Sequence, residues 1–494
     1  MRQGFRYLPP SLSSLALLGN DELCDVARKI AASHYARQKN ISDDEREEYC
    51  LGRHEYGVGI KKTSHTRSDG MMMRLRSEAF WRRQINLLAD EHREHLAMKR
   101  RQLGAAIEGL MPYCSDQTLA LIENRRACIQ LRMKRGTDGC TALTKAEIFA
   151  NSERSRFNQL FITVKAMEKL AQARDFQWAL ITLTCPPRFH PRSSAYEGLS
   201  TRAGHDYLSS QFRKLTKHLD KKYKANRDYF GVRVVEVHQD GCPHWHILLF
   251  GSATTLAFCR DKLERLHVGD GRPNGYFQEH HTEIFKEQVE QGQWASPISY
   301  VLKYLYPRRI KRAMPAPDTA KRVRCALQAA GIPQYKLIGA DGIATKTRIL
   351  KQVAITPATP PTLRKIAQTL NAPSAEKGER LQAMVELLDR SASEIQIVRT
   401  KCLNRYREST TKITHVKHKN DRNPYRLAKG NLSPRLWGAV TIKESRIIQG
   451  SPNYAPAPEI TSMRHHYKAN DTHLTSYTVA AFEYPQARLR WKPP

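Results

Sequence analysis

The stretch EVHQDGCPHWHILLF, residues 236–250, constrains this chain more than any other. β-Branched residues run from Val232 to Val237, Asp240-Gly241 marks a turn, and His244 to Phe250 is a second apolar run. This pattern predicts a β-hairpin. Strand side chains alternate between faces, so His244 and His246 project together and Trp245 projects opposite them, an arrangement suited to two metal ligands. Loop length decides whether Glu236 and His238 join them. A three- or five-residue loop puts even-numbered positions of both strands on one side, whereas a two-residue Asp-Gly turn puts Val235 and Val237 beside the histidines. Pro243 has no N–H to donate, which favours a second strand starting after it and hence the longer loop.

About fifty residues later comes SYVLKYLYPRR, residues 299–309. Tyr300 and Tyr304 are four apart and share one helix face, with Lys303 beside them. Pro307 stops that helix, and Arg308 and Arg309 follow. With nineteen histidines in the chain, an isolated His-x-His pair is expected by chance about once. The ordered combination is what carries information.

Lys and Arg exceed Asp and Glu by 81 − 48 = 33 charges in 494 residues, a balance that points to a polyanion, nucleic acid above all. The ten cysteines include no C-x-x-C pair, so a zinc ribbon or thioredoxin-type site is not expected, and they are read as reduced cytosolic thiols. Ser13 and Ser14 interrupt the short N-terminal apolar piece, no small-residue cleavage site follows, and no apolar run reaches about 18 residues. Neither a signal peptide nor a membrane span is expected, and a cytosol is the expected location. No phosphate-binding loop of the Walker type is present, so any helicase activity belongs to a partner.

The periodicity predicts basic amphipathic helices over 21–38 and 71–104, then helices over 115–134 and 146–173. This part reads either as an arm that selects a DNA site or as solvated helices packed on the rest. WALITLT, 178–184, is a strand ended by Pro186 and Pro187, and the loop after it holds His190 and Arg192 as candidate substrate contacts. Helices follow at 205–223, where Leu208, Phe212, Leu215 and Leu219 line one face and basic residues largely another, and at 254–267, then a short strand at 280–285. Such an order makes an α+β fold, an antiparallel sheet with flanking helices. Beyond Gly339, residues 355–361 read as a linker, 362–371 and 375–391 as short helices, the stretch from Lys412 as basic, and the end from Ser451 as irregular. The expected organisation is a helical basic N-terminal region at 1–150, an α+β domain at 151–310 that carries the hairpin and the two tyrosines, an extension at 311–355, and a small helical module with a basic irregular tail at 356–494.

Three motifs in order, LITLT at 180–184, PHWH at 243–246 and YVLKY at 300–304, make the chain resemble the HUH endonucleases, specifically the phage replication gene A protein family of rolling-circle initiators. GIPQYKLIG, 331–339, resembles a family stretch beyond the tyrosines, and the likeness runs over roughly 71–339. The spacing E-x-H-x-D-G-x-P-H-x-H is also similar to that of small single-stranded DNA virus initiators. The resemblance implies a ferredoxin-like palm with the 178–184 strand central, and a metal, Mg2+ or Mn2+, held by His244, His246 and Glu236 with His238 in reserve. It implies Tyr300 and Tyr304 as nucleophiles assisted by Lys303. Its implied substrate is single-stranded DNA at a phage or prophage replication origin, cut through a 5′-phosphotyrosine, with a host helicase and polymerase as partners. Two departures stand out: Pro307 replaces a family lysine, and Cys242 sits where threonine is common. Rival readings are a two-tyrosine transposase or plasmid relaxase, and a non-catalytic basic DNA-binding protein with a structural zinc.

Overall fold

The computed structural model describes residues 7–60, 68–128, 145–267, 297–302, 317–340, 342–351, 359–372, 376–391, 394–404, 406, 409–418 and 425–426. All of them fall in one compact unit, Met1–Thr441.

The N-terminal part is helical: α1 (Leu12–Leu17), α2 (Asn20–Arg37), α3 (Arg46–Leu51), α4 (Ser68–Leu75), α5 (Glu78–Lys99) and α6 (Asp116–Cys128). The single helix expected over 71–104 is two. Ser77 takes an extended backbone and its hydroxyl accepts the Phe80 amide at 3.3 Å, which starts α5 afresh as an N-cap. Leu23 and Ile30 of α2, Met71 and Leu75 of α4, and Trp81, Ile85 and Ala89 of α5 form the core of this part.

Next come α7 (Lys145–Ala173), β1 (Gln177–Thr184), α8 (Thr201–Lys222), β2 (Tyr229–Val237), β3 (Pro243–Gly251), α9 (Ala253–His267), α10 (Pro297–Leu302), α11 (Pro317–Ala329) and β4 (Tyr335–Ile338). The four strands make one antiparallel sheet in the order β1-β3-β2-β4, the α+β arrangement expected. Among the described residues β1 is an edge strand rather than a central one, and the strand expected at 280–285 lies outside them. The outer edge beyond β2 is β4, drawn from the GIPQYKLIG stretch.

Parity divides the sheet into two faces, as the pleat requires. Val235, Val237, Trp245, Ile247 and Leu249 share one core with Leu208, Leu215 and Leu219 of α8, with α9 and with α11. Phe230, Val232, Val234, Leu248 and Phe250 share another with Leu160, Val164 and Met167 of α7 and with Ile298, Val301 and Leu302 of α10. Each such fully buried large side chain contributes about 1.5–3 kcal/mol, so helices on both faces lock the strand register.

The chain continues with α12 (Ile343–Leu350), α13 (Pro361–Asn371) and α14 (Lys377–Ser391), which extend the α7 core through Ile343, Leu363 and Leu387. A second sheet of β5 (Ile395–Leu403), β6 (Ser409–His418) and β7 (Tyr425–Arg426) follows. The basic stretch that begins at Lys412 continues β6 to His418, and the end from Ser451, expected to be irregular, lies outside the described residues. No helix among the described residues is long and apolar enough to cross a membrane, and the described cysteines are free thiols.

Candidate metal centre

The hairpin register settles which residues face each other. Val237 pairs with Pro243, Glu236 with His244 and Val234 with His246, leaving five residues, 238–242, in the loop. The His238 amide donates to the Cys242 carbonyl at 2.7 Å and the Gly241 amide to the His238 carbonyl at 2.9 Å. Hydrogen-bonded and non-hydrogen-bonded pairs alternate along such a ladder, so Pro243 falls where no N–H is needed and opens the strand instead of preceding it. Gly241 has φ +85°, and a Cβ there would meet Leu103 at 3.0 Å. The Tyr113 amide donates to the Gln239 carbonyl at 2.8 Å, so the N-terminal helical part holds the loop at its tip.

With five loop residues, Glu236, His244 and His246 face the same side. His244 Nε2 lies 3.0 Å from His246 Nε2, and Glu236 Oε2 lies 3.5 Å from His244 Nε2 and 3.4 Å from His246 Nε2. Burial alone would raise the Glu236 pKa, but hydrogen bonds and charge from the two imidazoles outweigh it and bring it down to about 2. The other carboxylate oxygen, Oε1, is buried with no hydrogen-bond partner. An orphaned anionic oxygen beside two imidazole nitrogens fits a divalent cation, which would bind once both Nε2 atoms present lone pairs rather than N–H groups.

His34, His54 and Glu55 form a second group with metal-ligating atoms close together, and it differs in this respect. Glu55 Oε2 lies 2.7 Å from His34 Nε2, its Oε1 accepts from Arg37 at 2.8 Å, and His34 Nδ1 lies 2.6 Å from the Tyr49 hydroxyl. His34 also stacks on Trp81 at 5.1 Å. These groups satisfy one another and tie α2, α3 and α5 together.

Around the first group stand residues whose roles are not legible from the hairpin alone. Thr182 pairs with His246 across β1 and β3, and its Oγ1 lies 3.0 Å from His246 Nδ1. The His238 ring sits 4.2 Å from that of His244, yet the ligating atoms within 4.8 Å of one another come from Glu236, His244 and His246 and not from His238. Burial, then the charges of His244 and His190, push the His238 pKa down to about 3. His190 Nδ1 is 3.0 Å from Asp240 Oδ2, and its ring is 5.3 Å from that of His238. Arg192 pairs with Glu108 at 2.7 Å. Behind the strand, the Arg233 guanidinium stacks 4.1 Å over Trp245 and braces β3 from the opposite face.

Tyr300 belongs to α10, whose Ile298, Val301 and Leu302 join the core on the face that also carries Glu236, His244 and His246. Lys303 and Tyr304 lie outside the described residues.

The bacteriophage replication gene A protein family model matches residues 53–306. The chain is 28% identical over 244 residues to the probable replication protein P12 of Pseudoalteromonas phage PM2, covering 47% of this chain and 36% of that protein. It is 26% identical over 253 residues to a probable replication endonuclease from a prophage-like region of Escherichia coli O6:H1, covering 48% and 30%. To the replication protein of Haemophilus phage HP1 it is 25% identical over 303 residues, covering 56% and 37%. The matched part thus spans about a third of the length of these curated relatives. No solved structure matches the chain.

Proposed function

Because the chain belongs to the bacteriophage replication gene A protein family, we propose that it is a metal-dependent, site-specific single-strand DNA endonuclease and strand transferase that nicks a phage or prophage origin to start rolling-circle replication. The observation that carries this reading is the convergence of Glu236, His244 and His246 within 3.5 Å on the face where α10 packs. A divalent ion, Mg2+ or Mn2+, bound by these three supplies positive charge against the scissile phosphate. Glu236 brings an anionic ligand already ionised at neutral pH, and the imidazoles bring neutral nitrogens.

Tyr300 and Tyr304 are the nucleophiles in this reading. A free phenol has a pKa near 10, so ionising it at pH 7 costs about 4 kcal/mol, an expense that nearby cationic charge, Lys303 included, lowers. The phenolic oxygen bonds to phosphorus as the bond from phosphorus to the 3′ oxygen breaks. The phenolic proton is lost, the departing oxygen takes one up, and a 5′-phosphotyrosine and a 3′-OH result. One phosphodiester is exchanged for another, so the link can be passed to a second strand. Two tyrosines allow one to hold the first cut while the other makes the next. Single-stranded origin DNA is the substrate, and strand separation and synthesis fall to host proteins.

The test is a labelled single-stranded oligonucleotide incubated with the chain and Mn2+ or Mg2+, then resolved on a denaturing gel. A metal-dependent covalent adduct that disappears in a Tyr300→Phe, Tyr304→Phe double variant is expected. An adduct that persists in the double variant refutes the nucleophiles, and binding without any adduct under either metal refutes the enzyme.

A further inference from the structure

The face that carries Glu236, His244 and His246 continues past β2 onto β4. Thr182 pairs with His246, His246 with Val234, and Val234 with Tyr335. These four residues form one row across the sheet with their side chains on the same side. Strands lie about 4.8 Å apart, so Tyr335 sits roughly 10 Å from His246, two strands away.

Most large apolar side chains on this face are covered. Phe230, Val232, Leu248 and Phe250 lie beneath α7 and α10, and Leu337, two residues along β4, packs against the same core. Tyr335 is 40% exposed. An aromatic ring left open beside a buried row does little for the core. Partial burial raises the Tyr335 phenol's pKa, and the charge of Arg156, exposed on α7, acts on it in the opposite sense.

We propose that Tyr335 is a stacking platform for an unpaired base of the DNA strand whose phosphate lies at Glu236, His244 and His246. This rests on reading the chain as a single-strand endonuclease. Every base offers a π face, so an exposed aromatic ring beside a cation holds a strand without selecting its sequence. At about 3.4 Å per nucleotide, roughly 10 Å places that base within about three nucleotides of the cut. Arg156 draws the adjoining phosphate, and stacking fixes the strand so that one phosphodiester rather than its neighbour meets the metal.

The experiment uses the full chain with fluorescein-labelled oligo(dT) for affinity and the same strand carrying 5-iodouracil for photocrosslinking and peptide mapping. Tyr335→Ala is expected to weaken binding about tenfold at physiological salt, Tyr335→Trp to retain it, and the crosslink to fall on Tyr335. Thermal melting of both variants checks that they fold. If the unaltered chain forms its metal-dependent adduct while Tyr335→Ala, folded, binds as tightly as before, stacking is refuted and the nuclease reading stands. If the unaltered chain neither binds the strand nor forms an adduct, both fall together.

Discussion

Thr182 Oγ1 lies 3.0 Å from Nδ1 of His246. For His246 to offer Nε2 to a cation, its neutral ring carries the proton on Nδ1, and Thr182 is placed to accept it. Thr182→Val keeps the shape and removes the acceptor. Mn2+ affinity is expected to fall about 10- to 100-fold, the usual effect of removing such a partner, while Thr182→Ser retains most of it. Calorimetric titration with Mn2+ reads this directly, and equal affinities for the three proteins mean that Thr182 does not orient the ring.

Glu236 makes the strongest prediction about the metal. Glu236→Gln preserves volume and removes the charge, and the amide brings hydrogens where a cation requires lone pairs. The unaltered chain gains about 2.7 kcal/mol of apparent stability when free metal exceeds Kd a hundredfold. That metal-dependent rise in melting temperature is expected to vanish in Glu236→Gln and the oligonucleotide adduct with it. A variant that melts later with added Mn2+, as the unaltered chain does, places the ion elsewhere.

Much of this site is legible in the sequence because the hairpin is written in local terms: a β-branched run, Asp-Gly, and alternation about Trp245. The loop length is not, since Asp240-Gly241 suits both a two-residue turn and a longer one. What decides it is tertiary, the seating of Gly241 against Met98 and Leu103 and the backbone bond from Tyr113. The role of Thr182 depends on the register between β1 and β3, which neither strand encodes alone. Tyr335 sits in a four-residue strand with polar neighbours, too short for a periodic signal. The β6 run STTKITHVKH reads only as basic because its lysines and histidines mask an alternation that pairing with β5 makes use of.

Acid is expected to destabilise the fold by a route that starts at histidine. His205 is buried beside Trp245, with ring centroids 5.2 Å apart. Burial, then the charges of Arg233 and Arg202, push its pKa down from 6.5 to about 4. The unfolded chain therefore takes up this proton before the folded one. The stability is fully present above about pH 6.5 and is lost as pH falls toward 4, with about 2 kcal/mol gone by pH 5. His238, held at about 3, adds loss of the same sign. Urea midpoints measured at pH 7 and pH 5 are expected to separate, and the gap to shrink in His205→Phe. An undiminished gap in that variant assigns the acid sensitivity to other groups.

The last prediction concerns the loop that sets parity. At φ +85° Gly241 occupies backbone space that other L residues enter at a cost, and an added Cβ would stand 3.0 Å from Leu103 and 3.3 Å from Met98. Gly241→Ala thus meets backbone strain and crowding together, each of about 1–3 kcal/mol. The hydroxyl of Thr201 donates to the Gly241 carbonyl at 2.9 Å, so the loop has little freedom to relax by turning away. Two outcomes are expected: a lower urea midpoint and weaker Mn2+ binding, since any shift of the five-residue loop moves Glu236 against His244. Restoring space with Leu103→Ala in the same chain is expected to recover part of the metal affinity, because it removes the nearer clash and leaves the φ penalty and the tight approach to Met98. Should Gly241→Ala lower stability yet leave Mn2+ affinity untouched, the loop anchors the N-terminal helices without setting the geometry of the metal ligands.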